Sequence, residues 1–79
     1  MMISLMSKNG ITVRLDAAYD VEKETAEYRV TCKGVRLFFP VFKDAAVLYK
    51  ALCEDIENGC EMGERLATLE ALYGKKEVK

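Results

Sequence analysis

At 79 residues the chain has room for one domain, and 51% hydrophobic with 32% charged residues is the composition of a folded domain rather than a disordered one. A net charge of −1 argues against a dedicated nucleic-acid-binding protein, and three widely spaced cysteines argue against a disulfide framework. The opening residues lack the features of a signal peptide, and no apolar run approaches the roughly 18 residues of a membrane span. We therefore expect a cytoplasmic protein that does not associate with membranes.

The N-terminal part of the chain reads as a β-hairpin. Met2 to Ser7 alternates loosely and predicts a short edge strand. Asn9-Gly10 follows, and this dipeptide between two apolar runs is a strong hairpin signal because both residues tolerate a positive φ. From Ile11 to Ala17 apolar and polar residues alternate, which predicts a strand with one buried face. The polar stretch 19–25 is interpreted as a longer hairpin loop.

Alternation returns at Ala26 and predicts two further strands. The first runs to Lys33, and Gly34 permits a tight turn. The second runs from Val35 to Phe39 and ends at Pro40, since proline cannot donate to a strand ladder. The pattern predicts three well-marked antiparallel strands and the N-terminal fourth.

Two helices are predicted after the strands. Asp44 is a candidate N-cap for a helix from Ala45 to about Asn58, which Gly59 ends. A second helix is expected from Glu61 or Met62 to residue 73. Each helix carries an apolar stripe, formed in the first by Ala45, Leu48, Tyr49, Leu52, Cys53 and Ile56, and in the second by Met62, Leu66, Leu69, Leu72 and Tyr73.

The predicted fold class is α+β: a three- to four-stranded antiparallel β-meander followed by two α-helices, the first packed on one face of the sheet. We expect a single domain over residues 1–74 and a disordered tail at 75–79. The second helix either completes the core or forms a seam with another copy in a homodimer. The predicted core consists of Val13, Leu15, Tyr28, Val30, Leu37, Phe39, Leu48, Leu52 and Ile56.

The inventory of reactive side chains argues against an enzyme. The chain has no histidine, which removes the commonest general base and metal ligand and excludes a Ser–His or Cys–His pair within one chain. Cys32, Cys53 and Cys60 lack the close pairing of zinc sites, and we interpret them as small residues of a core or interface. We expect no catalytic residues, no metal and no cofactor.

Two surfaces are candidate partner-binding sites. If the alternation holds, the outer face of the sheet carries Arg14, Arg29, Lys33 and Arg36 beside the aromatic Phe38. Such a face fits a protein hot spot, a phosphate-binding surface that stacks a base, or simply a solvated face. Asp16 and Glu27 share it and dilute its positive field, which favours a protein partner. The other candidate is the acidic face of the first helix, with Glu54, Asp55 and Glu57.

Two functional hypotheses follow. The first is a non-catalytic interaction protein that docks on a larger protein as an inhibitor, regulator or accessory subunit; phage or mobile-element inhibitors of host defence, such as anti-CRISPR proteins, belong to the same size class. The alternative is a nucleic-acid-binding module that uses the basic sheet face. The segment 28–52, with its F-K-D-A-A run entering the helix, resembles the arm-binding N-terminal domains of phage integrases, which read DNA through a three-stranded sheet. The chain departs from them in net charge and lacks a strongly basic strand.

Overall fold

The computed structural model describes residues 1–74 and confirms the predicted α+β class, a four-stranded antiparallel meander followed by helices. The predicted disordered tail, residues 75–79, lies outside the described residues. The strands follow one another across the sheet in chain order, β1-β2-β3-β4. Their bounds are β1 Met2–Lys8, β2 Ile11–Asp20, β3 Thr25–Cys32 and β4 Val35–Phe39, and the first helix, α1, spans Phe42–Glu57.

Two of the three hairpin turns have the same geometry. Asn9 and Gly10 have φ values of 57° and 75°, and Lys33 and Gly34 have 51° and 81°. Two consecutive positive φ angles in a two-residue loop define a type I′ turn, whose twist matches the twist of the strands that it joins. Asparagine adopts a positive φ readily, whereas lysine does so only at a cost in backbone energy, so Lys33 is the strained residue of the two turns.

The turn between β2 and β3 is shorter than predicted. The expected loop at 19–25 is wrong in its bounds, because the strands stay paired as far as Asp20 and Thr25. Asp20 Oδ1 accepts hydrogen bonds from the backbone N–H groups of Glu22 and Lys23, at 3.0 and 3.2 Å. This side-chain turn replaces a backbone turn and allows four residues to reverse the chain. The ends of β2 and β3 are polar, and for this reason the sequence pattern did not indicate that they pair.

Helix α1 packs on one face of the sheet, as predicted, and encloses the core. The buried apolar residues are Val13, Leu15, Val30, Cys32, Leu37, Phe39, Ala45, Leu52, Ile56, Met62 and Leu66. Of the nine predicted core residues, Tyr28 and Leu48 are half-buried against this cluster instead of buried within it. The agreement follows from the period-two pattern, which assigns alternate residues of each strand to one face.

The start of α1 differs from the prediction. The helix begins at Phe42, and its N-cap is Val41, whose backbone is extended and whose side chain makes no capping hydrogen bond. The prediction that Asp44 is the N-cap is therefore wrong. Asp44 lies in the first turn, where a carboxylate interacts favourably with the positive end of the helix dipole.

The end of α1 is fixed partly by the first hairpin. The backbone N–H of Asn58 donates to the carbonyl of Glu54, and Gly59 leaves the helix at a φ of 74°. In addition, Asn9 in the β1–β2 turn donates from Nδ2 to the backbone carbonyl of Ile56, at 3.1 Å. The same carbonyl accepts from the backbone N–H of Gly59 at 3.0 Å, so the Asn9 side chain adds a second hydrogen bond to it and links the hairpin to the end of the helix.

The second helix is interrupted by a wider turn. Helix α2 spans Gly63–Leu69 and continues as a π-helical segment, Glu70–Gly74, which we call the π segment. Met62 and Leu66 are buried, so this helix completes the core, which was one of the two alternatives. A π turn takes more residues than an α turn, so Tyr73 meets the ring of Phe39 at 4.9 Å while Leu72 turns outward. The expectation that Leu72 belongs to the apolar stripe is wrong.

We predict that Lys33→Asn stabilises the fold. Lysine at a φ of 51° carries a backbone strain that asparagine largely avoids, and the Lys33 side chain is exposed, so little packing is lost. The free energy of unfolding should rise by about 0.5–1 kcal/mol in urea titrations. Gly34→Ala, at a φ of 81°, is the opposite control and should lower it by about 1 kcal/mol. An unchanged Lys33→Asn midpoint would contradict the strain argument.

Candidate interaction site on the outer face of the sheet

The side of the sheet away from α1 is not covered by either helix, and we call it the outer face. Because Val13 and Leu15 point into the core, the residues between and beside them point outward. The strand register sets two rows of side chains across this face. One row is Leu5, Arg14, Thr31 and Arg36; the other is Met2, Asp16, Arg29 and Phe38.

Asp16 is the central residue of the outer face and is only 2% exposed. Arg29, directly opposite on β3, donates to both of its carboxylate oxygens, from Nε to Oδ1 at 3.0 Å and from Nη2 to Oδ2 at 3.1 Å. Arg14 Nε lies 3.1 Å from Oδ2 as well. Bidentate arginine–carboxylate pairs are among the strongest and most directional polar contacts in proteins. The carboxylate of Asp16 is thus held between two arginine side chains.

The arginines determine the charge state of Asp16. Burial on its own would raise the pKa of a carboxyl group, but the hydrogen bonds and charge of Arg29, together with the charge of Arg14, outweigh that cost. The pKa of Asp16 is therefore held below its ordinary value, and the same hydrogen bonds raise the pKa of Arg29. Asp16 is ionised at neutral pH and neutralises part of the positive charge of the face.

Apolar side chains lie beside this polar centre. Met2 and Leu5 on β1 are 54% and 50% exposed, and Ile3, at an irregularity in the strand, is also exposed. Phe38, on the opposite edge strand, lies on the outer face and is half-buried. The outer face therefore combines a charged centre with an apolar stripe along β1 and an aromatic ring at β4.

The remaining basic residues are spread over the face. Arg36 is exposed on β4, in the row of Arg14, whereas Lys33 lies in the β3–β4 turn at the end of the sheet. On the strands, the three arginines share the outer face with three acidic residues, Asp16, Asp20 and Glu27, so the formal charges of the face balance. The predicted residues share one face, but their charge is largely compensated.

The second candidate surface is divided by an ion pair between helices. Asp55 lies with its Oδ2 at 3.1 Å from Arg65 Nε of α2, although this oxygen accepts no well-aligned hydrogen bond. Asp55 therefore ties α2 to α1 and is half-buried. Glu54 and Glu57 remain exposed on α1. The structure assigns two of the three acidic residues to open surface and one to the joint between the helices.

The cysteines of the described residues are free thiols, and none of them belongs to a cluster that could hold a metal ion. Within residues 1–74, no three Cys, Asp or Glu side chains come together in a way that could hold a metal ion. Cys32 is buried, Cys53 half-buried and Cys60 exposed, and all three are free thiols. Burial raises the pKa of the Cys32 and Cys53 thiols, which keeps them in the less nucleophilic protonated form.

Comparisons with known proteins add no family to this description. The sequence matches no protein-family model, and neither a curated protein nor a solved structure matches it. None of the helices in residues 1–74 has the length and apolar character needed to cross a membrane.

Sequence reasoning assigned Asp16 a minor role, although the structure makes it the centre of the face. The signal was present in the pattern: Asp16 and Arg14 are two residues apart on one strand, so they must share a face. Its pairing with Arg29 depends on the β2–β3 register, which the sequence left open. With the turn placed at 21–24, the same alternation brings the two residues directly opposite each other.

We predict that Asp16→Asn destabilises the protein at neutral pH by about 1–3 kcal/mol, the range for hydrogen bonds to charged groups. The lower half of that range is expected, because the Arg29 side chain is 37% exposed and can be rehydrated. The measurement is urea unfolding of both proteins.

The pH dependence tests the cause. Because the folded-state pKa of Asp16 is depressed, its contribution is fully present above the unfolded-state pKa and is lost as pH falls through the folded value. The stability gap between wild type and Asp16→Asn should therefore be constant from about pH 5 to 8 and shrink below about pH 4. A gap that persists unchanged to the lowest pH would show that ionisation of Asp16 is not its origin.

Proposed function

We propose that the chain is a non-catalytic interaction protein that docks through its outer face on a larger protein, as an inhibitor, regulator or accessory subunit. The observation that carries this proposal is the neutralised charge of the face. Asp16 engages Arg14 and Arg29, so their guanidinium groups are held in place rather than free to follow a phosphate backbone. A face whose formal charges balance offers little attraction to a phosphate backbone.

The side chains beside the ion pairs support a protein partner. Interface centres are rich in arginine and aromatic residues and in methionine, and apolar contacts among them supply most of the affinity. Met2, Leu5 and Phe38 stand in that relation to Arg14 and Arg29. Arginines fixed by a buried carboxylate also lose less side-chain entropy when a partner binds.

The chemistry of the face indicates the chemistry of the partner. The apolar side chains require an apolar patch, and the exposed guanidinium groups of Arg14 and Arg36 favour carboxylates at its rim. We therefore expect the partner to present exposed aliphatic or aromatic residues bordered by Asp or Glu. The runner-up, nucleic-acid binding, would rely on the same two arginines.

The test is a comparison of matched variants in quantitative capture from nuclease-treated host lysate, followed by titration with the purified partner. Phe38→Ser removes the aromatic ring of the outer face, and Val47→Ser removes an exposed apolar side chain, 62% exposed, from α1. If Phe38 is a hot spot, its variant should bind about 30-fold more weakly, while Val47→Ser binds like wild type. Circular dichroism establishes that both variants fold.

Three results would overturn the proposal. The first is equal loss in both variants, and the second is a partner that binds Phe38→Ser as tightly as wild type. The third is recovery of nucleic acid in a parallel capture without nuclease, with an affinity that falls about 10³-fold or more between 50 and 200 mM salt, which is the signature of several phosphate contacts. That third result, with loss on Arg14→Ala and Arg36→Ala, would establish the nucleic-acid alternative.

A further inference from the structure

The two edge strands of the sheet, β1 and β4, differ in whether another segment of the chain covers them. At the β4 edge, the π segment packs against the strand: a Cβ added at Gly74 would lie 3.2 Å from the backbone carbonyl oxygen of Arg36. In the β3–β4 hairpin, Cys32 and Val35 flank the two-residue turn and form the first hydrogen-bonded pair. Arg36 is the next residue along, so its carbonyl points away from β3, toward the edge that the π segment covers.

The β1 edge has no such cover. In the β1–β2 hairpin, Lys8 and Ile11 flank the turn, so Lys8, Met6 and Ser4 bond to β2, and the N–H and C=O groups of Leu5 and Ser7 point outward. Within residues 1–74, no backbone hydrogen bond outside the sheet ladder reaches Leu5 or Ser7. Helix α1 approaches β1 only from the inner face, where Ser4 Oγ and Tyr49 OH are 2.9 Å apart.

The devices that protect an edge strand are confined to the two ends of β1, where Lys8 is the last residue and an irregularity lies between Met2 and Ser4. From Met2 to Ser7 it carries no charged residue and no proline, and Met2, Ile3 and Leu5 are exposed. Natural proteins guard open edges with lysine, proline, strong bulges or a covering segment. Here the irregularity at Met2/Ser4 is confined to one end, and the central part of the strand remains regular.

We propose that β1 pairs with β1 of a second copy, antiparallel across a two-fold axis, to form one continuous eight-stranded sheet. Because the β4 edge is covered, each copy has one edge to offer, so pairing is like with like and closes as a dimer instead of growing into a filament. A two-fold axis perpendicular to the sheet keeps both α1 helices on one side and both outer faces on the other.

The composition of β1 favours a second copy as the occupant. A two-fold axis at Leu5 sets its outward N–H and C=O opposite those of Leu5 in the other copy, and sets Ile3 opposite Ser7. No like charges face each other in this register, because the segment between Met2 and Ser7 is uncharged. The contact also removes from water part of the apolar stripe that a domain of 79 residues leaves exposed.

The dimer is independent of the proposed function, since it is a property of the pure protein. Sedimentation velocity and light scattering on purified wild type should give twice the 8.9 kDa chain mass at high concentration, with dissociation on dilution. Wild type that remains at the monomer mass up to about 0.5 mM would overturn the proposal without reference to any variant.

Charge exchange at the axis identifies the surface. Leu5→Lys and Leu5→Glu each place like charges opposite each other and should weaken self-association about tenfold or more, whereas their equimolar mixture should recover it as a heterodimer. Val47→Lys on α1 is the matched control and should dimerise as wild type does. Recovery in the mixture also demonstrates that each variant folds.

Two results would contradict the pairing of β1 strands. A mixture that stays monomeric while both components are folded by circular dichroism, or a dimer that Val47→Lys disrupts instead, would place self-association elsewhere and overturn the β1 pairing. Phe38→Ser separates this proposal from the proposed function, because it should lose partner capture while the mass of the purified protein stays that of the dimer.

Discussion

The structure depends on the fact that its helices can cover only one of the two faces of the sheet. One helix of 16 residues and a shorter second one are enough to cover one face of a four-stranded sheet, and the apolar side chains of β2, β3 and β4 gather under them. Hydrophobic burial on that side supplies most of the driving force for folding. The other face must then be stable in water, and the Asp16–arginine cluster provides a polar centre whose groups satisfy one another.

The sequence predicted this one-sided arrangement because strand periodicity is local. Val13 and Leu15 on β2, and Leu37 and Phe39 on β4, alternate with polar residues and were assigned to the core correctly. The misses concern features that depend on contacts remote in the chain. The start of α1 at Phe42, the burial of Asp16 and the turn of Leu72 out of the core cannot be read from a local pattern. The burial of Asp16 is set by strand pairing, and Leu72 is turned outward by the π segment.

Strand alternation predicted which candidate residues share the outer face, but not how those residues contact one another. Arg14, Arg29, Arg36 and Phe38 do share one face, as alternation requires. Their relation to Asp16 depends on strand register, which only the complete sheet defines. The result changes the meaning of the arginines, from a loose positive patch to an ordered pair with its charge compensated. The same cluster thus holds the two guanidinium groups of the open face in a defined geometry.

The hydrogen bond between Asn9 and the carbonyl of Ile56 joins two segments that are 47 residues apart in the chain. Its consequence concerns how the domain opens. The last turn of α1 can fray freely only if the tip of the first hairpin moves with it, so the end of the helix and the β1–β2 turn form one cooperative unit. Protection of their backbone amides against hydrogen exchange should therefore rise and fall together. A contact at the periphery of the core in this way extends the cooperativity of the centre to the start of the chain.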